Sequence, residues 1–268
     1  MFTYIMQGTR VFVSSAVLAK RALFSWLNPA LWAMQLFFMS LFQMAFFVYI
    51  VKFAGGEDIG IAFVAVGNAI ASVAYVAIFS VCNITGEEKQ GGTLTPLLAT
   101  PANRMAMFVG RAMFQVLNGI ATVFIALFYA WAVFGVDFSM TNWPALIMVV
   151  VLTSLTTVGF GLMLSSFGLY LRTSMVIANI FLFIGLLFSG VNFPVTYLPD
   201  YLQPLAYIFP LTYGTEAARE AVSGTGLIGM ADLLIAQMIV GTIALLIGYL
   251  IFKLFEDLSR RLGTMDKF

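Results

Sequence analysis

Six stretches of this chain carry no charged residue: 22–51, 59–86, 112–136, 138–171, 173–199 and 233–252. Each holds the roughly 20 residues that a helix needs to cross about 30 Å of hydrocarbon. In lipid every backbone amide must find its partner inside the segment or in a closed barrel, and these runs are continuous rather than alternating, so helices are expected. Only 9% of the 268 residues are charged, against 62% hydrophobic. The expected fold is therefore an all-α integral membrane protein with six transmembrane helices.

The charges that remain are sorted. With the N-terminus placed in the cytoplasm, eleven of the 13 lysines and arginines fall on the inner side and only Lys52 and Arg219 outside. The positive-inside rule then predicts a multi-pass protein of the plasma or inner membrane with both termini cytoplasmic. The chain has no histidine and one cysteine, Cys82, in an apolar run. Imidazole-based zinc, haem and Ser/His chemistry is excluded, as is an internal disulfide. Cys82 reads as a small buried hydrophobe.

Residues 1–28 place Phe2, Ile5, Phe12, Ala16, Ala19 and Leu23 at helical spacing, as in an amphipathic helix lying in the membrane interface. Asn28 and Pro29 supply a cap and a first-turn proline for span one. The spans are expected at about 29–51, 60–83, 107–134, 145–168, 174–190 and 233–255, as a single transmembrane domain over 1–268. Gly159, Gly161, Ser165 and Ser166 in span four would allow a neighbouring helix to approach closely. Residues 191–220 hold prolines 194, 199, 204 and 210 among aromatic residues. That segment is too broken to span and too apolar for a free loop, so short helices re-entering the outer leaflet are expected.

No glycine-rich loop ending in Lys-Ser or Lys-Thr is present, so any nucleotide hydrolysis belongs to another chain. The apolar runs hold no carboxylate pair or lysine of the kind ion-coupled transporters use. In the polar stretch 85–104, Gly91 and Gly92 interrupt the helix leaving span two. Thr95 and Pro96 then cap and open a one-turn helix, which Pro101 ends. So short a helix is unstable alone and needs a groove in a partner.

At this point the sequence resembles the type-2 ABC transporter permease family. Two motifs carry the resemblance: Glu88, Gly92, Thr93, Leu94, Leu97, Leu98, Thr100, Pro101 and Arg104 after span two, and Phe188, Ser189, Gly190, Phe193, Pro194, Leu198, Pro199, Leu202 with Pro210 to Tyr213 after span five. The resemblance implies an exporter of a drug-like, lipid-like or glycan molecule. It would be formed with a second permease, identical or homologous, and with separate ATPase subunits that hold ATP and Mg. Residues 85–104 would be the coupling helix, with Leu94, Leu97 and Leu98 as apolar contact and Glu87, Glu88 and Arg104 as charged rim. Thr95 and Pro96 stand where family members often carry an acidic residue. Gly190, Phe193, Pro194, Tyr197, Pro199, Pro210 and Tyr213 would form an outer gate.

No catalytic, cofactor-binding, metal-binding or nucleic-acid-binding residue is assigned, and the substrate-lining residues are not identified. A self-contained secondary transporter or channel, or a membrane scaffold, is the competing class. Glu216, Arg219 and Glu220, at helical spacing, read as an internal ion pair. Gln35, Gln43, Asn68 and Asn179 are lone polar groups expected to bond between helices.

Overall fold

The computed structural model describes residues 11–21, 24, 28–53, 59–82, 84, 104–167 and 174–262. Among these, all regular structure is helical: α1 (residues 11–21), α2 (Pro29–Phe53), α3 (Ile61–Tyr75), α4 (Arg104–Ala132), α5 (Trp143–Phe167), α6 (Ser174–Phe188), α7 (Gln203–Ala206), α8 (Pro210–Val222) and α9 (Ala231–Leu262). A π-helical segment, Val76–Val81, continues α3, and a single 3₁₀ turn covers Val195–Tyr197. Among the described residues, five helices are long and apolar enough to cross a membrane, with ends near Phe53, Ile78, Ala132, Phe167 and Phe255. With the family evidence given below, this is a multi-pass membrane protein.

The helix starts follow from local chemistry. Asn28 accepts a hydrogen bond from the Ala30 amide at 2.9 Å, and Pro29 opens α2. Asn142 does the same for α5, accepting from the Ala145 amide at 3.2 Å with Pro144 in the first turn. The sixth apolar helix, expected at 174–190, is described from Ser174 to Phe188, 15 residues that rise about 22 Å. It stops because Ser189 and Gly190 follow, and Gly190 takes φ of 65°, a conformation only glycine adopts without strain.

Helices α3 and α5 form the centre. From Val64 to Ala74 every residue of α3 is buried, which is possible because small side chains alternate with valine and isoleucine there. By contrast, α2 turns most of its phenylalanines and methionines outward, as a lipid-facing helix does. The broadest interface joins α5 to α9, and glycine makes it close. A Cβ on Gly241 would lie 2.5 Å from Thr156 Cγ2, and one on Gly248 would lie 2.7 Å from Met163 Cα. Both pairs have the same sequence offset, so the helices run parallel with a seven-residue repeat along the seam. Gly159 faces Leu245, and a Cβ on Gly161 would lie 2.7 Å from the Ala77 carbonyl oxygen of the π segment. The small residues of span four thus serve helix approach, as their spacing predicts. Near the same end of the molecule α1 rests on α4, with the Phe12 carbonyl against Gly110.

Candidate functional site

Of the coupling residues read from sequence, Glu87, Glu88, Gly92, Thr93, Leu94, Leu97, Leu98 and Pro101 lie outside the described residues, and Arg104 is the first residue of α4. What the structure does show is how the stretch is anchored: the π segment of α3 leads toward it and α4 leaves it. Gly161 of α5 packs directly on that π segment. π-helical turns inside α-helices occur frequently at functional sites.

The other candidate region is described throughout. Chain reversals at 133–142 and 223–230 meet at one end of the bundle, the cation-poor end that the charge distribution expects outside, with Gly224 against the Met140 carbonyl and Gly226 against Asn142. Helix α8 enters the bundle there. Its Ala221 carbonyl accepts from the Asn142 amide at 2.9 Å. Seven residues earlier, Gly214 touches Thr153 and Gln237, and Phe209, just before the helix, stacks on Phe160 with ring centroids 5.6 Å apart. Phe160 lies about 25 Å along α5 from Trp143 at 1.5 Å per residue. The small residues Gly214, Thr215, Ala217, Ala218 and Ala221 make this penetration sterically possible, and all are buried.

Gly190 ends α6, and Pro194, half-buried, precedes the 3₁₀ turn. Phe193 is half-buried, whereas Tyr197 and Pro199 are exposed and stand away from the interior. Pro210 is buried at the start of α8. Tyr213 packs on Tyr207 with centroids 5.7 Å apart and donates its hydroxyl hydrogen to the Tyr207 carbonyl at 3.1 Å. The seven residues of the expected gate therefore divide into a buried group around the α6 and α8 ends and an exposed pair on the rim.

Four residues that the sequence did not connect, Arg219, Gly67, Asn68 and Thr215, hold the buried group. Arg219 lies with its guanidinium carbon 3.4 Å from the centroid of the Phe63 ring. Its Nε and Nη2 donate to the Phe63 carbonyl at 3.3 and 3.1 Å, and Nη2 donates again to the Val191 carbonyl at 2.9 Å. Glu216, one turn earlier, interacts with Arg219 electrostatically, but the expected ion pair is not the main contact: the guanidinium is committed to backbone oxygens of two other segments. Gly67 provides the space, since a Cβ there would collide with the Val191 carbonyl and lie 2.5 Å from Arg219 Nη2. Beside it, Asn68 donates to Asn192 at 2.9 Å and Thr215 donates to the Ser189 carbonyl at 3.0 Å. On the rim, the Asp137 carboxyl is held below its usual pKa by the Ser139 amide and then the Ser139 hydroxyl.

Deeper in the bundle, Gln237 of α9 is fully buried. Its Nε2 donates to the Thr153 and Thr156 hydroxyls at 2.9 and 3.3 Å, while its Oε1 meets no protein donor. Sequence reading passed over this residue, although it is the lone amide of its apolar run and lies one turn before Gly241. Of the polar groups that reading did select, Asn68 reaches another segment, whereas Asn179 bonds the Met175 carbonyl of its own helix. Between α4, α5 and α9, toward the other end, Phe108, Leu162, Leu245, Tyr249 and Phe252 enclose a crevice of about 20 Å³. That is room for about one water, far below the 300–1,000 Å³ of a drug-sized pocket.

Comparison with known proteins places these features in a common setting. The model of the ABC-2 type transporter family matches residues 14–222, which includes both the polar stretch and α8. The chain is 26% identical over 157 residues to the probable multidrug ABC transporter permease YbhR of Escherichia coli K12. It is 25% identical over 155 residues to the linearmycin resistance permease protein LnrN of Bacillus subtilis. These matches cover 58% and 56% of this chain but only 42% and 40% of the respective relatives, so the chain aligns with less than half the length of each.

Proposed function

The chain belongs to the ABC-2 type transporter family, and on that premise we propose that it is the transmembrane permease subunit of an ATP-driven exporter. The observation that carries this reading is the family match, which runs from α1 through the polar stretch to the end of α8. Separate ATPase subunits bind and hydrolyse ATP with Mg, and dock on residues 85–104, with Leu94, Leu97 and Leu98 in their cleft. Two permease chains, identical or homologous, enclose the pathway.

Both termini face the cytoplasm, so the end containing α8 faces outward and residues 189–222 form a re-entrant gate. The contacts of Gly214 and Phe209 deep along α5 support that depth. Gly190, Phe193, Pro194, Pro210 and Tyr213 lie in the moving part, and Tyr197 and Pro199 at its rim. The cargo is an amphipathic drug-like molecule, a class supported by the names of the two relatives, one a multidrug permease and one a resistance permease. ATP binding closes the ATPase dimer, the coupling stretches follow, and the bundle passes from one access state to the other.

Co-purification tests the central claim. The wild-type chain is expected to retain a soluble ABC ATPase, and Leu97→Asp with Leu98→Asp to lose it together with export, while remaining in the membrane. Unchanged ATPase binding and export in the double variant would remove the coupling assignment.

A further inference from the structure

We infer that Arg219 is the latch of the outer segment, held by the carbonyls of Phe63 and Val191 when the segment is closed and by Glu216 when it opens. Arg219 is a positioning residue in this scheme, and the scheme rests on the gate reading above.

The geometry supplies the argument. One guanidinium joins three elements: α8, on which it sits, the start of α3 through the Phe63 carbonyl and ring, and the turn after α6 through the Val191 carbonyl. Those are the elements that must separate for 189–222 to move away from the central helices. No other side chain reaches all three at once among the contacts around α8. Asn68 ties α3 to the turn, and Thr215 ties α8 to the turn.

The choice of partners suits release. Carbonyls hold a cation with partial charges, and those bonds are strong while the site is dry. Once water enters, both donor and acceptors are solvated and the attraction drops by the ratio of the local dielectric constants. Holding is thus coupled to dryness, and opening becomes cooperative.

Release also has a prepared destination. Glu216 stands three residues before Arg219 on the same helix, a spacing at which side chains meet, and the two already interact electrostatically. On leaving Phe63 and Val191 the guanidinium need not go unpaired. Gly67 completes the arrangement, because any larger residue there would occupy the space in which Nη2 and the Val191 carbonyl meet.

The test uses Val191→Cys, a completely buried position, in a chain whose single cysteine is removed by Cys82→Ala. A maleimide that cannot cross lipid is applied to each face of sealed membrane vesicles. In the nucleotide-free state, Arg219→Met is expected to raise the labelling rate about tenfold or more over the parent, from the outward face. Arg219→Lys, which keeps the charge but not the flat, forked donor, is expected to fall between them. Gly67→Ala is expected to mimic Arg219→Met with the arginine intact, and so covers the case in which Arg219→Met does not reach the membrane. Glu216→Gln should slow labelling during ATP turnover several-fold, because the released arginine loses its partner. Labelling of Arg219→Met and Gly67→Ala no faster than the parent overturns the latch, and an unchanged rate in Glu216→Gln overturns the exchange of partners. Failure of the underlying permease reading looks different: the parent's own labelling would not respond to ATP and vanadate with the ATPase present.

Discussion

Gln237 offers a direct measure of how this bundle is held together. Replacing it with methionine, which is similarly long and unbranched, removes two donated hydrogen bonds. Inside membrane proteins such bonds average about 0.6 kcal/mol each, so the loss is about 1.2 kcal/mol. The same substitution eliminates the Oε1 carbonyl, which is buried without a donor and costs about 1–3 kcal/mol in that condition. The second term equals or exceeds the first, so Gln237→Met should be neutral or stabilising by up to about 2 kcal/mol. Thr153→Val does the reverse. It takes away the shorter bond at 2.9 Å and leaves the Gln237 amide group weakly paired, for a cost of about 1–2 kcal/mol. The measurement is the fraction of monodisperse protein surviving graded heating in mild detergent, for both single variants and the double. Thr153→Val should lose its penalty when combined with Gln237→Met. If Gln237→Met proved less stable than Thr153→Val, the balance assumed between bond gain and unmet carbonyl would be wrong.

Two further outcomes follow from the packing. Gly248→Leu forces α9 away from Met163 and the Ser166 to Gly248 hydrogen bond at 2.9 Å, and should destabilise by about 1–3 kcal/mol or more in the same heating assay. Asn142→Ala removes the cap of α5, and an expected loss of about 1 kcal/mol should appear together with faster amide exchange at Ala145 and Leu146.

Much of the architecture is legible in the chain because lipid leaves so few options. Asn28 with Pro29, and Asn142 with Pro144, mark helix starts to within a residue or two, since capping is local chemistry. The end of α6 is legible as a break but not as a depth. The apolar run continues to residue 199, yet Gly190 stops the helix at about 22 Å, and only tertiary contacts show where the following segment goes. Arg219 shows the limit of periodicity. Its spacing from Glu216 correctly predicts proximity, but a three-residue interval says nothing of Gly67, whose missing side chain brings the Val191 carbonyl within reach. The polar stretch is legible only as a motif, being outside the described residues.

The repeat along the α5 and α9 seam has an implication for its alignment. Gly241 and Gly248 are seven residues apart, as are Thr156 and Met163 opposite them. Sliding α9 by one heptad would bring Gly248 opposite Thr156 but set Phe255 against Met163, where the seam needs a glycine. Gln237 marks the same alignment a second way. In the shifted alignment Ala244 would stand opposite Thr153 and the hydroxyl would face a methyl group. A buried amide thus adds a polar registration mark to the steric one, in the way a polar residue fixes the register of a coiled coil. Gln237→Met removes the polar mark and leaves the glycine seam in place.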